Sequence, residues 1–344
     1  MKRVAGLAIF GWMLCHAQPV VTGAGYAAPQ PTDAAPGQVI TIFVRVPGKT
    51  PSDPVVAKAP LPVTLAGFTV MLRQTFPSDP QAVPILSAAD SQSCSTVAPM
   101  VCDTVSMLTV EVPFELTANP PPGTVPKTTA PQNFARLEIG YGGSPADTLV
   151  LNPVLDRIHI LNTCDPAAGL SQTLEWFNAA PCLPEVAHAD GSLVSAANPA
   201  QPGEVLTISA VGLGSVSAAS PAAAVATGAA TPQPPPSVSG VLVDFNDRVN
   251  ASPAMLLPSS SLPAQSAQMQ AGSVGIYQIA FTVPALPSGT PACGNTVQSN
   301  LTIDIGRKAS YDGVGICVDP PAGATGADNR GAGRSRFMAY GSAR

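Results

Sequence analysis

The feature that most constrains this chain is that it repeats itself. The run PGQVITIFV (Pro36 to Val44) returns as PGEVLTISA (Pro202 to Ala210), an offset of 166 residues. In the first copy Ile40, Ile42 and Val44 alternate with Thr41, Phe43 and Arg45; in the second, Leu206, Ile208 and Ala210 keep the same phase. A period of two marks a strand with one buried face. Three further runs repeat in the same order. LAGFTVML (Leu65 to Leu72) answers VSGVLVDF (Val238 to Phe245), with Phe68, Val70 and Leu72 set against Val241, Val243 and Phe245. MLTVEVP (Met107 to Pro113) answers QIAFTVP (Gln278 to Pro284), and both stop at a proline that has no N–H to extend a ladder. ARLEIG (Ala135 to Gly140) answers LTIDIG (Leu301 to Gly306), again at 166. A slip of one residue would turn each apolar set to the wrong face, so four matched strands in one parity point to one sheet pattern used twice.

The fold this predicts is all-β: two tandem immunoglobulin-like antiparallel β-sandwiches, each of roughly 130 residues, a normal module size. The sandwiches are placed at 33–162 and 186–319, with an N-terminal linker at 18–32 and a connector at 163–185. The 39 prolines and 30 glycines exclude a mainly helical protein. Charged residues make up only 11%, so Ser, Thr, Asn, Gln and backbone must wet the surface. A net charge of −5 leaves no electrostatic footprint for nucleic acid. The Ala/Pro-rich stretch from Ala218 to Pro236 reads as a long mobile loop, and the arginine-containing tail at 320–344 reads as disordered.

The N-terminus, MKRVAGLAIFGWMLCHAQPV, has Lys2 and Arg3 ahead of an apolar run from Val4 to Cys15, then Cys15-His16-Ala17. This is the pattern of a signal peptide at 1–17, cleaved after Ala17; the alternative is a buried N-terminal element. The run is too short for a permanent anchor, so no transmembrane segment remains after cleavage. The expected location is the medium, the periplasm or the cell surface. Removing Cys15 leaves Cys94, Cys102, Cys164, Cys182, Cys293 and Cys317. Six cysteines in an exported chain suggest disulfides, and nearest-neighbour pairing (94–102, 164–182, 293–317) is the simplest of the possible connectivities. Each such loop would contribute about 3 kcal/mol. Zinc is the rival reading, but no C-x-x-C pair is present, and no cofactor is expected.

With PGQVITIF, PLPVTLAGFTV, VEVPFEL, HADGSLVSAANPAQPGEVLTISAVGLG and VGIYQIAFTVP in order, the chain resembles the paired Ig-like (IPT/TIG-like) modules at the C-termini of secreted acidobacterial proteins. The likeness covers about residues 33 to 318. It implies the fold and export, and no activity. One departure is visible: the glycine corner VGLG (Val211 to Gly214) has FVRVPG (Phe43 to Gly48) in the first copy.

Three stretches invite a chemical reading. HADGS brings His188, Asp190 and Ser192 within five residues. A hydrolase triad is defined by convergence in space, whereas Asp-Gly is a turn signal, so the expectation is a hairpin and no catalytic residue. DFNDRVN (Asp244 to Asn250) carries oxygen ligands but lacks the glycine and distal glutamate of a calcium loop, and no metal is expected. LEWFN holds Trp176 and Phe177, which could either fill the joint between modules or contact a ligand. The chain is therefore expected to be a non-enzymatic structural, adhesion or protein-interaction module. Its partner would be a protein or glycan of the cell envelope or extracellular matrix. The alternative is a carbohydrate-binding module using Trp176 and neighbouring loops.

Overall fold

A computed structural model describes residues 18–24, 32–94, 102–119, 132–144, 146–163, 165, 182–214, 225–246, 261–286, 293, 299–306 and 310–319. Among them the chain is all-β. The first half forms β1 (Val20–Ala24), β2 (Thr32–Ala34), β3 (Val39–Val46), β4 (Val55–Val56), β5 (Thr64–Leu65), β6 (Phe68–Gln74), β7 (Gln81–Ala82), β8 (Ile85–Cys94), β9 (Cys102–Glu111), β10 (Ala135–Tyr141) and β11 (Asp147–Pro153). The second half forms β12 (His159–Ile160), β13 (Val186–Ala187), β14 (Val205–Val211), β15 (Leu242–Asn246), β16 (Ser261–Pro263), β17 (Ser266–Met269), β18 (Tyr277–Thr282), β19 (Ser299–Asp304) and β20 (Tyr311–Ile316). No helix among the described residues is long and apolar enough to cross a membrane.

The strands lie in four sheets: β1-β3-β9-β8-β4; β2-β11-β10-β6-β5 with β7 beside β6; β12-β14-β18-β17 with β13 beside β14; and β16-β15-β19-β20. Among the described strands pairing is antiparallel, except that β2 runs parallel to β11 over Thr32–Ala34; outside the strands, an isolated bridge joins Ala200 and Val318 in parallel. Two of the sheets bury one core between them, with Ile40, Ile42, Leu108 and Val110 from one and Val70, Leu72, Leu137 and Leu149 from the other. The other two share a second core of Leu206, Ile208, Ile279 and Phe281 against Val243, Leu301, Ile303 and Ile316. Each such side chain, once buried, contributes roughly 1.5–3 kcal/mol, which is why the alternation fixes the register.

The repeat extends to single hydrogen bonds. Gln38 Oε1 accepts from Ala35 N–H at 2.9 Å, and Glu204 Oε2 accepts from Gln201 N–H at 2.9 Å. Gly37 N–H donates to Val112 O and Gly203 N–H to Val283 O, at 2.9 and 2.8 Å. Ile42 faces Leu108 across one ladder as Ile208 faces Ile279 across the other. The second sequence match is off by two residues. Leu137 pairs with Leu72, whereas Ile303 pairs with Val243, so Val243 answers Leu72 and not Val70. A slip of two keeps the same face inward, so the apolar pattern alone could not detect it.

The chain passes from β11 directly into the second half, where Ile158 and Ile160 enter the second core. The VGLG corner explains how. Gly212 and Gly214 have φ of +76° and +77°, and a Cβ on either would overlap the carbonyl of Arg157 or Leu155. Only glycine allows this approach, which the bond from Arg157 N–H to Gly212 O at 2.7 Å closes. Val20–Ala24, inside the stretch read as a linker, pairs with β3.

Candidate functional site

The HADGS stretch is a turn. Gly191 has φ +85°, Gly191 N–H donates to His188 O at 3.0 Å, and His188 N–H donates to Ser192 O at 2.9 Å. Asp190 Oδ1 accepts from Ser192 N–H at 2.9 Å and from its hydroxyl at 2.6 Å. The imidazole turns elsewhere, with Nδ1 2.5 Å from Glu204 Oε1 and Nε2 3.2 Å from Asn198 O. The ring is thus bound to the PGEV turn and not to Ser192, and the three side chains form no relay. Burial alone would lower the His188 pKa, but bonding to Glu204 and to the Asn198 carbonyl raises it.

His159 is used in a similar way. It sits in β12, with Nε2 2.9 Å from Asp165 Oδ2 and Nδ1 3.1 Å from Asp312 Oδ2. Burial opposes protonation here, yet the two carboxylates outweigh it and raise the ring to about 9. The imidazolium therefore ties the incoming strand to β20. The same carboxylates also accept backbone bonds from Ile160 and Asn162, both at 2.8 Å.

The most built-up site lies between the two halves. Val39, Leu161 and Val211 are buried together, with Leu86 and Ile276 packed against them, and Phe114 of the first half packs on the second core. Over this strip runs part of the Ala/Pro-rich stretch. The stretch reads as mobile from its composition, but its residues 225–236 are docked; its residues 218–224 lie outside the described ones. Leu61 N–H donates to Gly228 O at 2.7 Å, Phe114 N–H to Thr227 Oγ1 at 3.1 Å, and Thr227 Oγ1 to Glu115 Oε2 at 2.7 Å. Proline and alanine cost little side-chain entropy when fixed, which favours such docking. A cleft of about 490 Å³ opens beside the seam, lined by Lys58, Leu61, Leu86, Ala230, Val274 and Ile276.

Glu111, the last residue of β9, is fully buried in this seam. Its Oε2 accepts from Gly228 N–H at 2.5 Å, while Oε1 meets no donor. Burial raises its pKa to about 7; the Gly228 bond opposes this and the Glu115 charge adds to it. A carboxyl with that pKa could serve as an acid or base, but sealed from solvent it cannot reach a substrate proton.

A second buried charge closes one end of the first core. The Lys49 ammonium pairs with Asp90, the two side chains being 5% and 3% exposed. Burial would raise the Asp90 pKa, but Lys49, Ser106 and Ser52 together lower it. Lys49 also lies over the rings of Phe68 and Tyr141, at 5.9 and 6.0 Å. No sequence signal marks this pair, since the partners stand far apart in an ion-poor chain.

Of the expected disulfides, Cys293–Cys317 is formed, with Cα atoms 5.4 Å apart. Cys94 and Cys102 face each other as ladder partners at the ends of β8 and β9. Cys182 is disulfide-bonded. Cys164, Trp176, Phe177, Asp247 to Asn250, the segment 1–17 and the tail 320–344 lie outside the described residues. Asp244 is buried opposite Thr302. No group of three or more His, Cys, Asp or Glu side chains among the described residues could hold a metal ion. No protein-family model matches the chain, and no curated protein matches it at a significant level.

Proposed function

We propose that this chain is an exported, non-enzymatic pair of immunoglobulin-like sandwiches that holds or adheres to a protein or glycan of the cell envelope or surrounding matrix. Kinship with the paired IPT/TIG-like modules of secreted acidobacterial proteins belongs to the same proposal. The strand order, repeated from one half to the other, supports the immunoglobulin-like reading.

The observation that carries the functional reading is the seam. Tandem modules move relative to one another unless their interface is extensive and hydrophobic. Here Val39, Leu161 and Val211 are buried between the halves, and the segment around Gly228 is hydrogen-bonded across them. A fixed angle between two sandwiches suits a part that presents loops or bears load, and the histidines serve as internal ties. The test is incubation of the purified mature chain with isolated cell envelopes, with capture measured against protein concentration. A panel of ester, peptide and glycoside substrates is run alongside. Saturable capture without turnover is expected. Turnover abolished by a single substitution, or capture that never saturates, would overturn the proposal.

A further inference from the structure

The outer face of the sheet containing β6, β10 and β11 carries a second built feature, different in character from the seam. Phe134 is 72% exposed, and Val150, which lines the same groove, is also exposed; Phe76, two residues beyond β6, is 47% exposed. Such exposure is unusual for rings in a chain where only 5% of residues are aromatic. The backbone beneath the rings is firmly held. Asn133, itself buried, accepts through Oδ1 from Thr75 N–H and Phe76 N–H at 2.9 and 3.2 Å. Its Nδ2 donates to Gln74 Oε1 at 2.9 Å and to Thr117 O at 2.7 Å. Thr75 N–H also reaches Phe134 O at 3.0 Å. One fully engaged amide therefore fixes both segments that carry the phenylalanines.

Next to the rings, Arg73 and Arg136 are direct ladder partners. Both bind Glu138: Arg73 Nε at 2.7 Å to Oε2, and Arg136 Nη2 at 3.1 Å to Oε1. One carboxylate between two guanidiniums aims both and leaves one positive charge over, on a chain whose net charge is −5. The side chains border a shallow groove of about 390 Å³ lined by Arg73, Thr75, Ser78, Phe134, Arg136 and Val150.

We propose that this groove binds a carboxylate-bearing polysaccharide, with Phe134 stacked on a sugar ring and Arg73 and Arg136 reaching its carboxylate. An aromatic face takes the C–H side of a sugar ring, and the guanidinium fork matches a carboxylate better than an ammonium does. Size favours a glycan over a folded protein. A groove of this volume lies at the small end of ligand sites, whereas a stable protein interface needs about 800 Å² on each partner. A fixed backbone under the rings lowers the ordering cost of binding. The inference rests on the adhesion reading and names its partner class.

The experiment is calorimetric titration of the mature chain with a tetrameric oligogalacturonate, and with a neutral oligoglucan of the same length. Phe134→Ala and the double variant Arg73→Gln/Arg136→Gln are measured in parallel, with Lys58→Gln as a surface control. The expected result is saturable uronate binding that weakens with added salt and falls at least about tenfold in both variants. The neutral glucan should not bind, and Lys58→Gln should match the parent. All the altered side chains are exposed, so unchanged melting curves confirm folding. Absence of uronate binding, equal binding of the glucan, or unaltered binding in the variants would overturn the assignment. So would a Phe134-dependent self-association seen by sedimentation, which would make the face a contact between copies. Envelope capture undiminished in the variants would remove this face and leave the adhesion reading intact. Uronate binding without envelope capture would do the reverse.

Discussion

Replacing Glu111 by glutamine probes the seam with a magnitude that can be worked from its geometry. The carboxyl is fully buried, Oε1 has no donor, and its pKa is raised from an ordinary 4.5 to about 7. At 1.36 kcal/mol per pKa unit this corresponds to about 3 kcal/mol. The unfolded chain loses the proton near 4.5, while the folded chain keeps it to about 7. Between those values the native state binds more protons, so stability falls as pH rises. The contribution is fully present below 4.5 and gone above 7. Glutamine is neutral throughout and keeps one oxygen to accept from Gly228 N–H. In urea denaturation, Glu111→Gln should match the parent within about 1 kcal/mol at pH 4. At pH 8 it should exceed the parent by about 2–3 kcal/mol, roughly a 1 M rise in midpoint for a slope near 3 kcal/mol/M. Other titrating groups act on both proteins alike and cancel in the difference. Parallel stability profiles from pH 4 to 8, or a variant less stable at pH 8, would refute the reasoning.

Three further perturbations test the remaining ties. His159 has its pKa raised from 6.5 to about 9, so its contribution is complete below 6.5 and lost as pH rises through 9. His159→Gln should be less stable than the parent by about 2 kcal/mol at pH 6, the partial exposure of the ring reducing the full linkage value, and the two should converge by pH 10 in the same urea assay. Lys49→Met leaves Asp90 buried without its cation and should cost about 3–5 kcal/mol; adding Asp90→Asn should recover part of the loss in thermal melts. Gly212→Ala places a Cβ against the Arg157 carbonyl at φ +76° and should lower stability by more than about 2 kcal/mol, read by chemical denaturation.

The sheets were legible because period-two alternation carries the same information in sequence and in space. Ile40, Ile42 and Val44 face inward as their spacing requires, and so do Leu206, Ile208 and Ala210. The turn at Asp190-Gly191 was legible for a local reason, since carboxylate, glycine and accepting carbonyl lie within five residues. What the sequence hid depends on partners far apart in the chain. His188 gives no sign that it meets Glu204, nor Lys49 that it meets Asp90, because neither spacing follows a helix or strand period. Phe134 and Arg73 become neighbours only once β6 pairs with β10.

The seam was hidden for a deeper reason, which is the repetition itself. Val39 and Val205 occupy equivalent places in the two copies, both on the outward side of their strand. Yet Val39 is 1% exposed and Val205 is 43% exposed. Thr41 is buried, while its counterpart Thr207 is only partly so. On the pairing strands Glu111 stands opposite Val39, and Thr282 stands opposite Val205. A pattern that is the same in both copies cannot say which outer face is covered, because alternation reports only the face turned toward the shared core. The positions that can say so are those where the copies differ: Glu111 against Thr282, and the VGLG corner against FVRVPG. Each of these differences falls where the two halves meet, Glu111 beneath Gly228 and Gly212 beneath Arg157. In a duplicated fold of this kind, the common residues build the modules, and the divergent ones fix how the modules are held together.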